Sequence, residues 1–470
     1  MDIRSVMVVG VALVLACTPA EPAESSGTLA TGSTGASGGT DGVSSTGGAS
    51  VPTTGGPAET TSEGSGEGSS AGDTGSSTGD STGEPVRPGC GDGVLAAGEV
   101  CFERTEQDTF TRSFSQMALA DLDGDGHLDL VGMGLIACPL AEHDPLRRHG
   151  VGGLASALAP SRDGAANLRV ETALGDGLGG FTFKAGFEPV AGQLRALLAL
   201  DVTGDGDVDM VTLSEDHLVV FAGAGDGTMG PPEEVIALPE SRYAMAAGDL
   251  DGDGIDDLVA VGLGVTVLKG DGVGGFTANS TAGDGGLARQ GVVLHDLDND
   301  GDLDAVVLRA QFPEGAVEVL HNDGSGVLTS VQEIVLPGYL MDIVVIADAQ
   351  DGRPAVLGTL HQDVTVLNSL RVEVDGTLAA PEAAAGAGLT DLLVGRFDGD
   401  LRADATQLDK HGVAVLVTTE PWAPVPVPLM AEDQVLVGWP LGHCAGDVNE
   451  DGVDDVIVAD ASLVVFRSDP

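Results

Sequence analysis

A nine-residue acidic loop recurs along this chain, and its spacing limits the fold more than any other feature. Five copies share one template: oxygen-bearing side chains at places one, three, five and nine, and glycine at place six. They begin at Asp121, Asp201, Asp249, Asp296 and Asp447, and decayed copies at Asp348–Gly352 and Arg396–Asp404 complete the series. Successive starts lie 80, 48, 47, 52, 48 and 51 residues apart. An interval of about 50 residues suits one four-stranded blade of a propeller. The first interval is one blade plus an irregular insertion at about 136–165, which carries Arg147, Arg148 and His149. Seven repeats therefore predict an all-β, seven-bladed β-propeller.

The stretches between loops agree. Valine-rich runs such as Leu258–Val261, Leu218–Phe221 and Val317–Leu320 are bounded by Gly and Asp, which is a strand signal. The chain stops two strands into its seventh repeat, and 109–114 with 117–120 are expected to supply the other two. A ring closed in this way leaves no open sheet edge, whereas an open solenoid would have no use for the complementary split.

Carboxylates this dense repel one another unless a cation lies among them. Calcium takes six to eight hard oxygens in flexible geometry, which suits the donor set. The candidate ligands are Asp121, Asp123, Asp125 and Asp129; Asp201, Thr203, Asp205 and Asp209; Asp249, Asp251, Asp253 and Asp257; Asp296, Asp298, Asp300 and Asp304; and Asp447, Asn449, Asp451 and Asp455. Place seven carries His127, Asp207, Ile255, Asp302 or Val453, so only its backbone carbonyl can serve as a shared ligand. An EF-hand is excluded because place twelve is Gly132, Thr212, Ala260, Val307 or Val458 instead of a bidentate glutamate. Zinc would want nitrogen or sulfur, and magnesium a stricter octahedron. Metal-free acidic surface turns are the plain alternative.

With these loops in hand, the region 106–470 resembles FG-GAP/VCBS repeats, which build the seven-bladed propeller of integrin α-chains. The resemblance implies calcium at about five blade loops and a surface that binds a partner.

The N-terminus reads as an export signal over 1–16, with Arg4 ahead of an apolar run from Val6 to Leu15. Val14-Leu15-Ala16-Cys17 resembles a bacterial lipobox, which implies that Cys17 is acylated. Thr18 after it leans toward the outer membrane or cell surface. Membrane contact is then expected only through this lipid. Residues 18–88 form a Ser/Thr/Gly-rich linker that cannot bury enough apolar surface to fold. In the segment 89–105, Cys90 to Cys101 resembles one CGxGxxxxGExC repeat of myxobacterial-type surface proteins, and a Cys90–Cys101 disulfide is expected. Cys138 and Cys444 fall in the first and last repeats, neighbours in a closed ring. They are either a second disulfide or two buried thiols.

The formal net charge of −53 excludes phosphate-backbone recognition, which needs a positive surface. The function expected is that of a monomeric, non-enzymatic module for binding, adhesion or structure, with an unidentified protein or glycan ligand. The alternative is an extracellular hydrolase or lyase with an unrecognised site on the propeller face. No HExxH motif is present, nor a GxSxG outside the linker, and the nine histidines are scattered. His295 and His443, close ahead of loops, read as buried structural residues.

Overall fold

The structure is a computed structural model that describes residues 100–107, 114–135, 168–187, 194–214, 217–238, 242–282, 288–310, 314–350, 353–361, 365–387, 391–398, 402–409, 412–417, 425–429, 442–459 and 462–468. The described residues form seven antiparallel sheets of four strands each. Blade three is typical. Arg242–Gly248, Asp257–Gly262, Val265–Gly270 and Phe276–Ala282 follow one another as a meander, each strand paired with the next. The other meanders begin at Phe114, Leu194, Arg289, Tyr339, Asp391 and Gly442. First strands touch first strands in ring order, and that of blade one meets that of blade seven. The chain is thus a closed, seven-bladed all-β propeller.

The sequence pattern explains the layering. The first strands of blades three and seven, Arg-Tyr-Ala-Met-Ala-Ala-Gly and Gly-His-Cys-Ala-Gly, are rich in small residues, which eases their convergence on one axis. Second strands such as Asp257–Gly262 are buried along their whole length, so they are continuous apolar runs without alternation. Fourth strands face outward: Leu328–Leu336 is buried at its ends and largely exposed between them. Blade six ends on Val425–Pro428, where two prolines sit at a sheet edge that no further strand needs to pair.

Seven apolar clusters are found among the described residues, one between each pair of adjacent blades. Each buried Val or Leu in them contributes about 1.5–3 kcal/mol. Most of the ring's cohesion therefore lies between blades and not within them.

Closure differs from the expectation. One strand, Phe102–Gln107, pairs with Leu463–Ser468 as the fourth strand of blade seven. Residues 117–120 belong instead to Phe114–Ala120, the first strand of blade one. The reason is phase. The acidic loop joins the first strand of a blade to its second, so a repeat counted from loop to loop is shifted by one strand from the blade. The propeller consequently begins at Phe102, inside the segment read as a cysteine motif.

The signal segment, Cys17, the linker, Cys90, Cys138 and the insertion 136–165 lie outside the described residues. Cys101 is disulfide-bonded, and the other half of that bond is not among the described residues. Cys444 is buried at the interface of blades seven and one.

Candidate metal centre

Each intact loop is held in shape by its own carboxylates. The place-six glycine N–H donates to the place-one aspartate: Gly126 to Asp121 at 3.0 Å, Gly206 to Asp201 at 2.9 Å, Gly254 to Asp249 at 2.8 Å, Gly301 to Asp296 at 3.1 Å and Gly452 to Asp447 at 2.8 Å. The place-five aspartates Asp125, Asp205, Asp253, Asp300 and Asp451 each accept from the N–H at place seven, at 2.9–3.0 Å. Place six has φ between 83° and 98° in all five loops, which only glycine adopts without strain. Place four is also left-handed, and there the chain tolerates Asn299 (φ 59°) and Glu450 (φ 61°). These are the only non-glycine residues with positive φ among the described residues.

The ninth place does something the sequence did not announce. Asp129, Asp209, Asp257, Asp304 and Asp455 are buried, and each accepts backbone N–H groups on both carboxylate oxygens. One bond comes from place two of the same loop: Leu122, Val202, Leu250, Leu297 and Val448, at 2.7–3.2 Å. The other comes from the end of the third strand or, in blade two, just past it: Gly175, Gly223, Gly270, Asn322 and Ser468, at 2.6–2.9 Å. This carboxylate clasps the loop to its own blade. Burial pushes Asp129 up to about 6 and Asp455 up to about 7, and raises Asp257 and Asp304, while the backbone donors pull the other way. The ionised form is thus short of positive charge where it stands.

The loop also joins one blade to the next. The place-two carbonyl accepts a hydrogen bond from the turn or strand end of the following blade. Gly227 N–H reaches Leu122 at 3.0 Å, Gly274 N–H reaches Val202 at 2.9 Å, Asn322 Nδ2 reaches Leu250 at 2.8 Å and Gly179 N–H reaches Val448 at 3.0 Å across the ring closure. His127 of loop one meets Glu450 of loop seven, and that contact raises the imidazole pKa.

Four groups of acidic or histidine side chains have ligand atoms close enough together to hold a metal ion. They are Asp121/Asp123/Asp129, Asp249/Asp251/Asp257, Asp296/Asp298/Asp300 and Asp298/Asp304/His321. Loops two and seven form no such group among the described residues, and they carry Thr203 and Asn449 at place three. The donor set fits a hard cation on a further observation: Asp251 Oδ1, Asp296 Oδ1 and Thr203 Oγ1 are buried without a hydrogen-bond partner. Buried oxygens of this kind are costly unless something positive meets them.

The five loops are not equivalent. In loop three, Lys269 Nζ contacts Asp251 Oδ2 and lies 2.9 Å from Asp253 Oδ2. In loop seven, Asn449 Nδ2 donates to Asp451 Oδ2 at 2.9 Å, and Ser468 Oγ donates to the same oxygen at 2.6 Å. The decayed copies are rebuilt. In blade five the first two strands run on and pair as far as Gln350 with Arg353, flanking Asp351-Gly352 in place of a nine-residue loop. Blade six keeps the clasp, with Phe397 N–H donating to Asp404 at 3.3 Å. There Asp454 of the neighbouring loop accepts from Arg396 N–H at 2.7 Å.

His443 is buried on a first strand, and burial pushes its imidazole down to about 4. His295 is half-buried at the end of another.

Comparison with known proteins agrees with this architecture. Residues 201–260, spanning loops two and three, match the FG-GAP-like repeat. No curated protein matches the chain in sequence. Among solved structures the chain is similar to BBS1N, solved in complex with ARL6DN, at 11% identity and a TM-score of 0.51; the likeness covers 80% of this chain and 98% of that one. An Agrocybe aegerita lectin that recognises non-reducing terminal N-acetylglucosamine is similar at 17% identity and a TM-score of 0.45, over 63% and 88% of the two chains. The chain is a seven-bladed β-propeller carrying an FG-GAP-like repeat and acidic blade loops able to hold metal.

Proposed function

We propose that the chain is an exported, lipid-anchored β-propeller, stabilised by calcium and acting at the cell surface as a non-enzymatic binding or adhesion module. The observation that carries the calcium assignment is the set of buried oxygens without partners, Thr203 Oγ1, Asp251 Oδ1 and Asp296 Oδ1, at three of the ligand places. Calcium would be held by places one, three, five and nine of a loop, where it supplies the positive charge that the folded carboxylates lack. Because loops one, two, three and seven also bond to the following blade, bound metal there would stiffen joints of the ring. That is a scaffold role, and it directs the search for a ligand to parts that do not repeat.

The insertion 136–165 is the foremost of these. Its flanking strands end at Leu135 and begin at Leu168, so it joins the second and third strands of blade one. Those two strand ends lie at the opposite end of the blade from the loop between its first and second strands. The partner is expected to be a protein or a glycan.

Thermal melting in excess EDTA tests the metal reading, with a large fall in Tm reversed by calcium as the expected result. An unchanged melting curve would refute it. Capture of partners by chains with and without 136–165 tests the binding reading, and loss of a partner on deletion is the expected result.

A further inference from the structure

Lys269 stands one residue before Gly270, whose N–H the Asp257 clasp accepts. The equivalent residues in the other intact blades are Leu174, Ala222, His321 and Arg467, each one place before a clasped N–H. An otherwise repeated site thus has one variable position beside it, apolar in blades one and two and basic in three, four and seven. The basic residues behave differently. Arg467 turns away, donating to Glu103 Oε2 at 2.6 Å and to the Leu178 carbonyl at 3.2 Å. His321 Nδ1 stays 3.8 Å from Asp298 Oδ2. Lys269 alone reaches a loop's third-place and fifth-place carboxylates together, Asp251 and Asp253.

We propose that the Lys269 ammonium is a tethered cation occupying the metal position of loop three. This loop is then charge-balanced by the protein itself and takes calcium more weakly than loops one and two. The contrast rests on the calcium reading of those loops. A monovalent ammonium and a divalent ion cannot share the same two carboxylates, because their mutual repulsion at such separation is large. Attachment to the neighbouring strand gives the ammonium a high effective concentration at the loop. Three donors do not saturate a site built for six to eight oxygen contacts, and Asp251 Oδ1 is accordingly left buried without a partner. The Lys269 side chain is 41% exposed, so it can swing out and yield to calcium at high concentration.

Equilibrium dialysis of the folded chain against low calcium tests the assignment. Lys269→Met is expected to bind one more ion than the wild type. Ala222→Lys, which puts a lysine at the exposed equivalent position of blade two, is expected to bind one fewer. A second readout needs no bound metal: in EDTA, Lys269→Met should melt below the wild type, because Asp249, Asp251 and Asp253 lose their counter-charge, and calcium should reverse the loss. Equal stoichiometry for Lys269→Met and wild type, or an unchanged melting point in EDTA, would overturn the proposal. Several ions on the wild type with no gain in the variant would sink this inference and leave the calcium reading standing. No ion on the wild type but one on Lys269→Met would sink the calcium reading of loops one and two, and the contrast with them, while leaving Lys269 as the group that keeps metal out of loop three. No ion on either would sink both.

Discussion

Blades one to four stand against blades five and six as two ways of turning from a first strand into a second. In the former the turn is an acidic loop, clasped to its own blade by a buried aspartate. At each of their successive junctions its place-two carbonyl is also bonded to the following blade. In blade five a hairpin replaces the loop, and in blade six the clasp to Asp404 survives with the first acid gone. All still form four-stranded blades with buried second strands. The loop is therefore not what makes a blade; at four of the seven junctions it adds a bond between blades whose apolar faces already meet. At the junction of blades four and five no place-two bond of this kind is made among the described residues. There a cavity of about 210 Å³ opens between Leu297–Asn299 of loop four and Pro354, Val372, Glu373 and Val374 of blade five. Gln332 spans that junction instead, donating to the Leu378 carbonyl at 2.9 Å and accepting from Leu378 N–H at 2.7 Å.

The sharpest way to break this contrast is to remove a clasp. Asp209 accepts from the N–H groups of Val202, Thr203 and Gly223, so Asp209→Ala strands three donors. A loss of roughly 3 kcal/mol or more is expected. Urea unfolding of this variant beside the wild type measures it, and a loss below about 1 kcal/mol would mean that the clasp does not hold the loop.

Chelation should come next in size. Hydrogen exchange in EDTA is expected to rise at 121–129 and 201–209 and to stay nearly unchanged at 346–353. A uniform rise along the chain would mean that metal does not act through the joints.

Acid provides a third, smaller effect, one that belongs to the core. His443 has a folded pKa of about 4 against an ordinary 6.5. The unfolded state takes up a proton first, so stability present above pH 6.5 is lost as pH falls toward 4. His443→Leu should flatten that part of a stability profile measured at constant calcium. An unaltered profile would transfer the acid sensitivity to the loops.

Smallest is Gln332→Ala, expected to cost about 1–3 kcal/mol through its two lost bonds. Gln107 makes the same paired contact at the ring closure, donating to the Gly179 carbonyl at 2.8 Å and accepting from Phe181 N–H at 3.0 Å. Its junction has the Gly179 to Val448 bond as well, so Gln107→Ala should cost less in a melting experiment. The reverse order would mean that place-two bonds add little.

Much of this was legible in advance. Loop spacing near one blade length gave the number of blades, and valine-rich runs gave the buried strands. Glycine at place six pointed to a left-handed turn, which Gly126 through Gly452 adopt. The closing strand was not legible, because Phe102–Gln107 reads Phe-Glu-Arg-Thr-Glu-Gln, polar as an outermost strand should be and indistinct from its surroundings. Nor was the left-handed place four, since Asn299 and Glu450 conceal what Gly124, Gly204 and Gly252 obey.

The sequence by itself determined the repeat, the blade count and the oxygen-rich character of the loops, because backbone turns and strand burial leave local, periodic marks. Tertiary structure decided what each loop's carboxylates meet. Loops one and three present nearly the same acids, and what separates them is a lysine 18 residues downstream of Asp251. Strand pairing within the blade carries it back into the loop, and no local reading of the nine residues could place it there.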